Sequence, residues 1–473
     1  MSQSVPQLGH YRDQALSTLN LRPHEVQYMP TFIVSPGESI VTSDPSAVLE
    51  TCLGSCIGVS LYDPQIPVGG IVHILLPFGS DEKEKHSPYR FATSGIKALV
   101  SEMEKMGAPK ERTVAAMAGG AMILTDRTLS VEMNIGRRNS EMARRILEAE
   151  GIPIVRQDIG GNTGRLFGLN IATGTTHVKT VGNSPGKFEP HKKRSEILHR
   201  DLQMKIDNLK PLPETARKMM SKLQCPNYSI AELEKDIVKD QALTANVLKV
   251  CNSPHYGYSN RVPSIKRALV LMGLDVLKRI ILSSSFYNLY NNKLLGYSTR
   301  KGELMKHSVC CGLVAELIVR EKTLQETDVA FTAGLLHDIG KVVLDQYAFE
   351  QFNLIMDKVL NEGMAFLDAE AEILGYNHAQ VGGWVAKGWG LPEVLTEAIS
   401  LHHQPEESKG NPELVCAVHL ADNICSMFGE GCWADALTNR IHQFAITTLG
   451  IERNDVERIV ESLPDIMKQV VMI

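Results

Sequence analysis

The chain has 473 residues, 43% of them hydrophobic and 22% charged, which excludes wholesale disorder and exceeds a single core, since domains run to roughly 100–200 residues. A formal charge of −5, from 49 basic and 54 acidic residues, supplies no bulk attraction to nucleic acid or an anionic membrane. The opening residues lack an apolar targeting stretch and no later run is long enough to span a bilayer, so a cytoplasmic protein that is not membrane-embedded is expected.

Residues 1–27 are polar and form an expected N-terminal extension. Residues 28–182 are rich in Gly, Val and Thr, and runs such as FIVSPGESIVTSD and NIATGTTHVKTV predict strands. Two amphipathic stretches interrupt them, Thr93–Met106 ending at Gly107 and Asn139–Ala149 ending near Gly151, each read as a helix with a glycine stop. Strands with a few helices, not strictly alternating, predict an α+β domain. Residues 183–205, polar with Pro and Gly, read as a linker, and its Lys192-Lys193-Arg194 run as a solvated face. From 206 to 430 helical periodicity takes over, at 214–223, 230–252, 264–290, 301–320 and 326–345, and predicts an all-α domain. Residues 431–473 read as a C-terminal helical extension. The nine cysteines are an odd count with no CxxC pair, which argues against a disulfide framework and gives no signature of structural zinc.

The densest chemistry lies in ETCLGSCIGVSLYDPQIPVGGIVHILLP, residues 50–77. Alternating runs over 57–62 and 68–76 flank Asp63-Pro64-Gln65-Ile66, a hairpin turn with proline at its second position. A turn centred between Pro64 and Gln65 sets Cys56 directly opposite His73, with Cβ atoms roughly 4.5–5.5 Å apart. An imidazole there can take the thiol proton and leave a thiolate–imidazolium pair. Gly54-Ser55 puts the sulfur on a loop whose N–H groups suit an oxyanion, and Thr51 offers a hydroxyl to orient the ring. The same residues also fit a buried cysteine and a satisfied core histidine, and a one-residue slip would undo the opposition. Spacing leaves both readings open.

Over about 30–182 the motifs TCLGSCIGVSLYDP, GGIVHILLP, AAMAGGAMIL, NIGRRN (134–139) and DIGGNTGR (158–165) follow one order. In them the domain resembles CheD, the chemoreceptor glutamine deamidase family. The resemblance implies Cys56 as nucleophile, His73 as its partner and Thr51 as third member of a triad. It implies attack on a glutamine carboxamide, loss of ammonia with a proton from His73, and hydrolysis of the thioester to glutamate, with no cofactor required. The partners it implies are the cytoplasmic domains of methyl-accepting chemotaxis receptors, and a CheC-like phosphatase or response regulator. Cys52 departs from the family's aliphatic residue and either packs or oxidises with Cys56. Arg137, Arg138 and Asn139 either shape the domain or bind backbone near the site.

A second constellation, His307, His337-Asp338, His378, His402-His403 and Asp422, lies further on. In GLLHDIGK the His-Asp pair reads as part of an apolar helix, where a charge needs a partner. A His, a His-Asp doublet and a distant Asp are the ligand types that hold a divalent metal for phosphate-ester hydrolysis. His307, His337, Asp338 and Asp422 are therefore candidate metal ligands, and Lys341 a candidate phosphate contact. From LPETARKMM (212–220) through ALTANVLKVCNSPHYG, SIKRALVLMG, GLLHDIGK and HAQVGGWVAKGWGLP to the pair at 402–403, the segment resembles the HDOD domain, a relative of the HD phosphohydrolases. That resemblance implies a signalling or scaffolding module. The retained ligand types keep a metal-dependent HD-type phosphohydrolase as the alternative, although QPEESKGNPEL stands where cyclic-di-GMP phosphodiesterases carry Gly-Tyr-Pro. A scaffold with neither activity is the third reading.

Overall fold

The computed structural model describes residues 31–79, 81–121, 135–161, 163–180, 241–253, 262–290, 302–322, 327–427 and 441–452, with single positions and short pieces elsewhere between 202 and 470. The expected extension over 1–27, most of the linker and the helix expected over 214–223 lie outside these residues, as does most of the expected C-terminal extension.

The N-terminal region is a pair of facing sheets with helices on one outer side. Strands β1 (Thr31–Ile33), β3 (Val48–Leu53), β8 (Arg165–Asn170) and β9 (Thr176–Thr180) form a four-stranded sheet in the order β1-β3-β8-β9. Strands β2 (Ser39–Thr42), β4 (Ile57–Asp63), β5 (Val68–Ile74), β6 (Val114–Gly119) and β7 (Ile154–Ile159) form a five-stranded sheet in the order β2-β5-β4-β6-β7. Helix α1 spans Asp81–His86, α2 Ala92–Lys105 and α3 Ile135–Ala149. Alternation along the strands builds two cores. Ile57, Val59 and Leu61 of β4 pack with Ile96, Leu99 and Met103 of α2 and Ala143 and Leu147 of α3. The opposite face of the same sheet, with Cys56, Ile71 and Ala118, packs on Leu49, Leu53 and Phe167 of the four-stranded sheet.

The hairpin of β4 and β5 forms where the sequence places it, but in a different register. Gly58 stands opposite His73 and Ile57 opposite Ile74, so the expected direct opposition of Cys56 and His73 does not occur. Pro67 explains the shift. It has no N–H to give the ladder, so pairing starts at Asp63 and Val68 and the turn widens to residues 64–67. Asp63 Oδ1 caps this wider turn by accepting the Gln65 N–H at 2.9 Å, while Arg112 Nη2 holds Oδ2 at 2.6 Å. The offset is two residues, and two residues preserve the face. His73 points to the inter-sheet side, where Cys56, in the bend just before β4, is also buried, and its Nε2 has no hydrogen-bond partner there.

From α4 (Gln241–Cys251) onward the region is helical: α5 (Ile265–Met272), α6 (Leu274–Tyr290), α7 (Glu303–Glu321), α8 (Thr327–Leu336), α9 (Ile339–Asp357), α10 (Phe366–Leu374), α11 (His378–Gly388), α12 (Glu393–Leu401), α13 (Pro412–Met427) and α14 (Gln443–Leu449). The α+β region followed by an all-α one is the expected order. Two expected helices are broken. Gly273, at φ +82°, ends α5 and lets α6 start afresh. His337 and Asp338 do not lie inside a helix but in the turn between α8 and α9, where His337 Nδ1 donates to the Gly334 carbonyl at 2.7 Å. Among the described residues no helix is long and apolar enough to cross a membrane.

Gly340 sets how closely α9 approaches α11. A Cβ at this position would lie 1.9 Å from the His378 carbonyl oxygen and 2.7 Å from the Gly382 nitrogen, both backbone atoms. Gly340→Ala is therefore expected to destabilise the helical region by about 1–3 kcal/mol, as overpacking does. The readout is denaturant unfolding followed by tryptophan fluorescence, because every tryptophan of the chain lies beyond residue 380. An unchanged midpoint would show that the two helices are free to separate.

Candidate active site and histidine cluster

Thr51 sits on the inward face of β3, directly across from Phe167, and is fully buried. Its hydroxyl reaches across the gap between the sheets to His73 Nδ1 at 2.7 Å, and it donates to the Val34 carbonyl at 2.8 Å. A hydroxyl has one proton to give, so with that proton on Val34 the Thr51 oxygen accepts from His73 Nδ1–H. The neutral ring then keeps its lone pair on Nε2, which is buried and has no hydrogen-bond partner. Backbone bonds fix the ring's strand on the other side, from Gly37 N to the His73 carbonyl (2.9 Å) and from His73 N to the Glu38 carbonyl (3.0 Å).

Cys56 lies at the end of the loop that joins β3 to β4. The carbonyls of Gly54 and Cys56 accept from Ala121 N and Gly120 N at 2.8 and 2.7 Å. That contact needs glycine: a Cβ on Gly119, which has φ +109°, would stand 2.3 Å from the Cys56 carbonyl oxygen. From α3, Asn139 Nδ2 donates to the carbonyls of Ser55 (3.2 Å) and Leu75 (2.9 Å), so it ties the cysteine loop to the end of the histidine strand. Of the three residues singled out in NIGRRN, Asn139 thus binds backbone beside the loop. Arg137 instead pairs with Glu141, and Arg138 stands over the ring of Phe78 at 5.6 Å. Cys52 alternates with Thr51 on β3 and so points to the opposite face from Cys56.

Burial decides the charge state of this pair. It pushes the Cys56 thiol up to about 12, against a smaller lowering by its own backbone and by the charge of Arg90. It pushes His73 down to about 3. The resting pair is a neutral thiol and a neutral imidazole, not the thiolate–imidazolium pair expected from the sequence. Arg90 was not legible as part of this site from the sequence. Its carbonyl accepts from Leu75 N and Leu76 N at 3.0 and 2.9 Å, which holds it beside the cysteine loop.

The helical region gathers the second constellation around one buried point. His307 comes from α7, His337 and Asp338 from the α8–α9 turn, His378 from the first turn of α11, His402 and His403 from the end of α12, and Asp422 from α13. His307 Nε2 lies 3.2 Å from His337 Nε2 and 3.2 Å from Asp422 Oδ1, and His378 Nε2 lies 2.9 Å from His403 Nε2. The Nδ1 atoms of three of these rings are engaged outward: His337 to the Gly334 carbonyl, His402 to the Ile399 carbonyl (2.8 Å) and His378 to Glu370 Oε2 (2.6 Å). Their Nε2 lone pairs therefore converge. Asp338 Oδ1 and His402 Nε2 are buried with no hydrogen-bond partner. Lys341 donates to Asp338 Oδ2 at 2.7 Å, so its ammonium answers a buried carboxylate rather than facing outward to a phosphate. Burial works against a charged His307, yet its bond to Asp422 and the nearby carboxylates prevail and raise it to about 9.

Imidazole and carboxylate donors that converge in this way, with unpartnered atoms among them, fit a divalent transition metal. His307, His337, Asp338 and Asp422 all belong to the cluster. Sequence reasoning missed two of its members. Glu370 lies between Asp368 and Glu372 on α10 and orients His378, and Cys311 lies one turn after His307 with Sγ 3.5 Å from His307 Nε2. His419 is the contrasting case, with Nδ1 bonded to the His402 carbonyl and Nε2 to His442 N, a satisfied core histidine.

Comparison with known proteins agrees with this division. The family model of CheD chemotactic sensory transduction matches residues 75–180, and that of the HDOD domain matches residues 209–405. A protein of Caldanaerobacter subterraneus subsp. tengcongensis named "Probable chemoreceptor glutamine deamidase CheD" is 39% identical over 150 residues, 32% of this chain and 93% of that protein. One of the same name from Desulforamulus reducens is 38% identical over 143 residues, 30% of this chain and 86% of that protein. A crystal structure of an HDOD domain protein of unknown function from Geobacter sulfurreducens is similar at 25% identity and a TM-score of 0.48, over 59% of this chain and 97% of that one. Through its N-terminal region the chain belongs to the CheD family, and it carries an HDOD domain behind it.

Proposed function

We propose that the region bounded by residues 28 and 182 deamidates glutamine side chains of chemoreceptor cytoplasmic domains to glutamate in chemotaxis adaptation, with Cys56 as nucleophile, His73 as general base and Thr51 as the residue that orients the base. The observation that carries the proposal is the bond from His73 Nδ1 to Thr51, which leaves Nε2 unprotonated on the face that Cys56 shares. The resting pair is neutral, so the thiol proton passes to Nε2 as sulfur attacks the carboxamide carbon, and no separated charges wait in a buried gap. The imidazolium then gives that proton to the departing ammonia. Water adds to the thioester with the same ring as base, and the thiol is restored with release of a glutamate. The oxyanion formed at each addition is negative where the Arg90 charge acts, which lowers its cost.

A second reading concerns the region 206–430. We infer that it is a signalling module holding a divalent metal through His307, His337, Asp338 and Asp422, supported by the two unpartnered buried atoms in the cluster. A bound metal would supply Lewis acidity, and hydrolysis would further require an open coordination position.

Incubation of receptor cytoplasmic domains with the full chain is expected to convert specific glutamines to glutamates, read by mass spectrometry of the peptides. Cys56→Ala should abolish the conversion, and a variant that still deamidates would end the assignment. His73→Ala is expected to lose about 10²–10⁴-fold in rate, the usual contribution of a general base. Thr51→Ala should lose part of that factor and Thr51→Ser regain it, since the serine hydroxyl can make the same bond; equal rates for both would remove Thr51 from the site.

The raised thiol has a consequence for pH. Alkylation of Cys56 by iodoacetamide is expected to be on the order of 10²-fold or more slower at pH 7 than that of a free thiol with pKa about 8.5, and to climb steadily through alkaline pH. A rate that levels off below pH 8 would show that the thiol is not buried as described.

A further inference from the structure

Among the described residues the histidine cluster offers three overlapping ligand sets, and one of them contains a thiol. His307 and Cys311 are four residues apart on α7, so their side chains lie on one face a single turn apart. The arrangement has the spacing by which two histidines on one helix grip an ion, with cysteine in the second place. Cys311 Sγ is 3.5 Å from His307 Nε2, which is itself 3.2 Å from His337 Nε2 and 3.2 Å from Asp422 Oδ1. One donor atom from each of these four buried residues lies within 4.8 Å of the other three.

These spacings can be compared with what a tetrahedral ion demands. Ligand bonds of about 2.0–2.1 Å for nitrogen or oxygen and about 2.3 Å for sulfur give edges of about 3.3 Å between two nitrogens and about 3.6 Å between nitrogen and sulfur. The edges at His307 agree with both. Asp338 is the competitor for the fourth corner, with Oδ2 3.4 Å from His337 Nε2 and 3.6 Å from His307 Nε2, but Lys341 Nζ already holds that oxygen at 2.7 Å.

We propose that His307, Cys311, His337 and Asp422, with Cys311 in the place given above to Asp338, form a closed tetrahedral site for a zinc-class divalent cation. The proposal rests on the metal-binding reading of the helical region and changes its meaning. With four protein atoms at four corners no position is left for water or substrate, and such sites stabilise folds instead of hydrolysing esters. On binding, the sulfur–metal bond forms as the Cys311 thiol proton leaves to solvent, and His307 binds as the neutral imidazole, its Nε2 proton leaving likewise. The ion joins α7 and the α8–α9 turn, which are close in the chain, to α13, which follows only after α9 to α12. Selection follows from the donors too, since thiolate with imidazole favours zinc over the harder cations that carboxylates alone would admit.

Titration of the full-length, chelator-stripped chain with Co²⁺ tests this. A thiolate-to-cobalt charge-transfer band should rise in the near ultraviolet, saturate at a single equivalent and disappear when Zn²⁺ is added. Cys311→Ser should remove the band and Cys310→Ser should keep it. Cys311→His should retain cobalt in equilibrium dialysis without the band, which separates loss of a ligand from loss of the fold. Cobalt bound by the wild-type chain without the band, or a band that survives Cys311→Ser, overturns the proposal and leaves the metal reading standing. A wild-type chain that retains no cobalt in dialysis overturns both.

Discussion

The N-terminal site depends on one hydrogen bond that crosses between two sheets. Thr51 belongs to the four-stranded sheet and His73 to the five-stranded one, and their contact at 2.7 Å fixes the ring's rotation and its tautomer together. Its net contribution to stability is modest, about 0.5–1.5 kcal/mol for a bond of this kind. Its value is positional. Without the threonine oxygen the Nδ1 proton would have a weaker claim on that nitrogen, and the lone pair could as well sit on the side away from the cysteine. The sheets can meet closely enough because the facing positions are small: Gly58 stands opposite His73, and a Cβ there would press on Leu53 and Phe167.

Much of this was legible in the sequence, and the part that was not has a specific cause. The hairpin turn brought Cys56 and His73 towards each other, and Thr51 was named for its hydroxyl just upstream, before any sheet partner was known. The turn was misjudged because Pro64 was weighed and Pro67 was not, although the second proline, with no N–H, is what excludes a tighter loop. The error left the face of His73 unchanged because it amounts to an even number of residues. The charge state was also out of reach. Cys56 and His73 suggest an ion pair when read as a motif, and only their burial shows why the pair rests neutral.

In the helical region the histidines announce themselves and their supporting groups do not. Apolar periodicity over 326–345 ran through His337-Asp338 as though the helix continued, but the close approach of α9 to α11 at Gly340 requires the chain to turn there. Glu370 and Cys311 were missed for a common reason. Glu370 stands among the other carboxylates of α10 and Cys311 among the apolar residues of α7, so nothing local distinguishes either, and each role appears only when the next helix brings His378, or α13 brings Asp422, alongside. Residues of this kind are found by packing, not by pattern.

The two centres solve opposite electrostatic problems. The histidine cluster carries charge at rest, with Asp422 beside His307 and Asp338 beside Lys341, and buried charges of this kind must be matched by partners at all times. The cysteine site carries none at rest, since burial holds both Cys56 and His73 neutral. A neutral thiol has little to offer a small electrophile arriving from solvent, so under the proposed mechanism reaction would wait for a substrate whose own binding holds the carboxamide carbon against the sulfur. That requirement selects for a side chain delivered on a folded partner over a free amide in solution. It also makes the proton acceptor decisive, because sulfur can become nucleophilic only as fast as Nε2 takes its proton, and the position of Nε2 is what Thr51 controls.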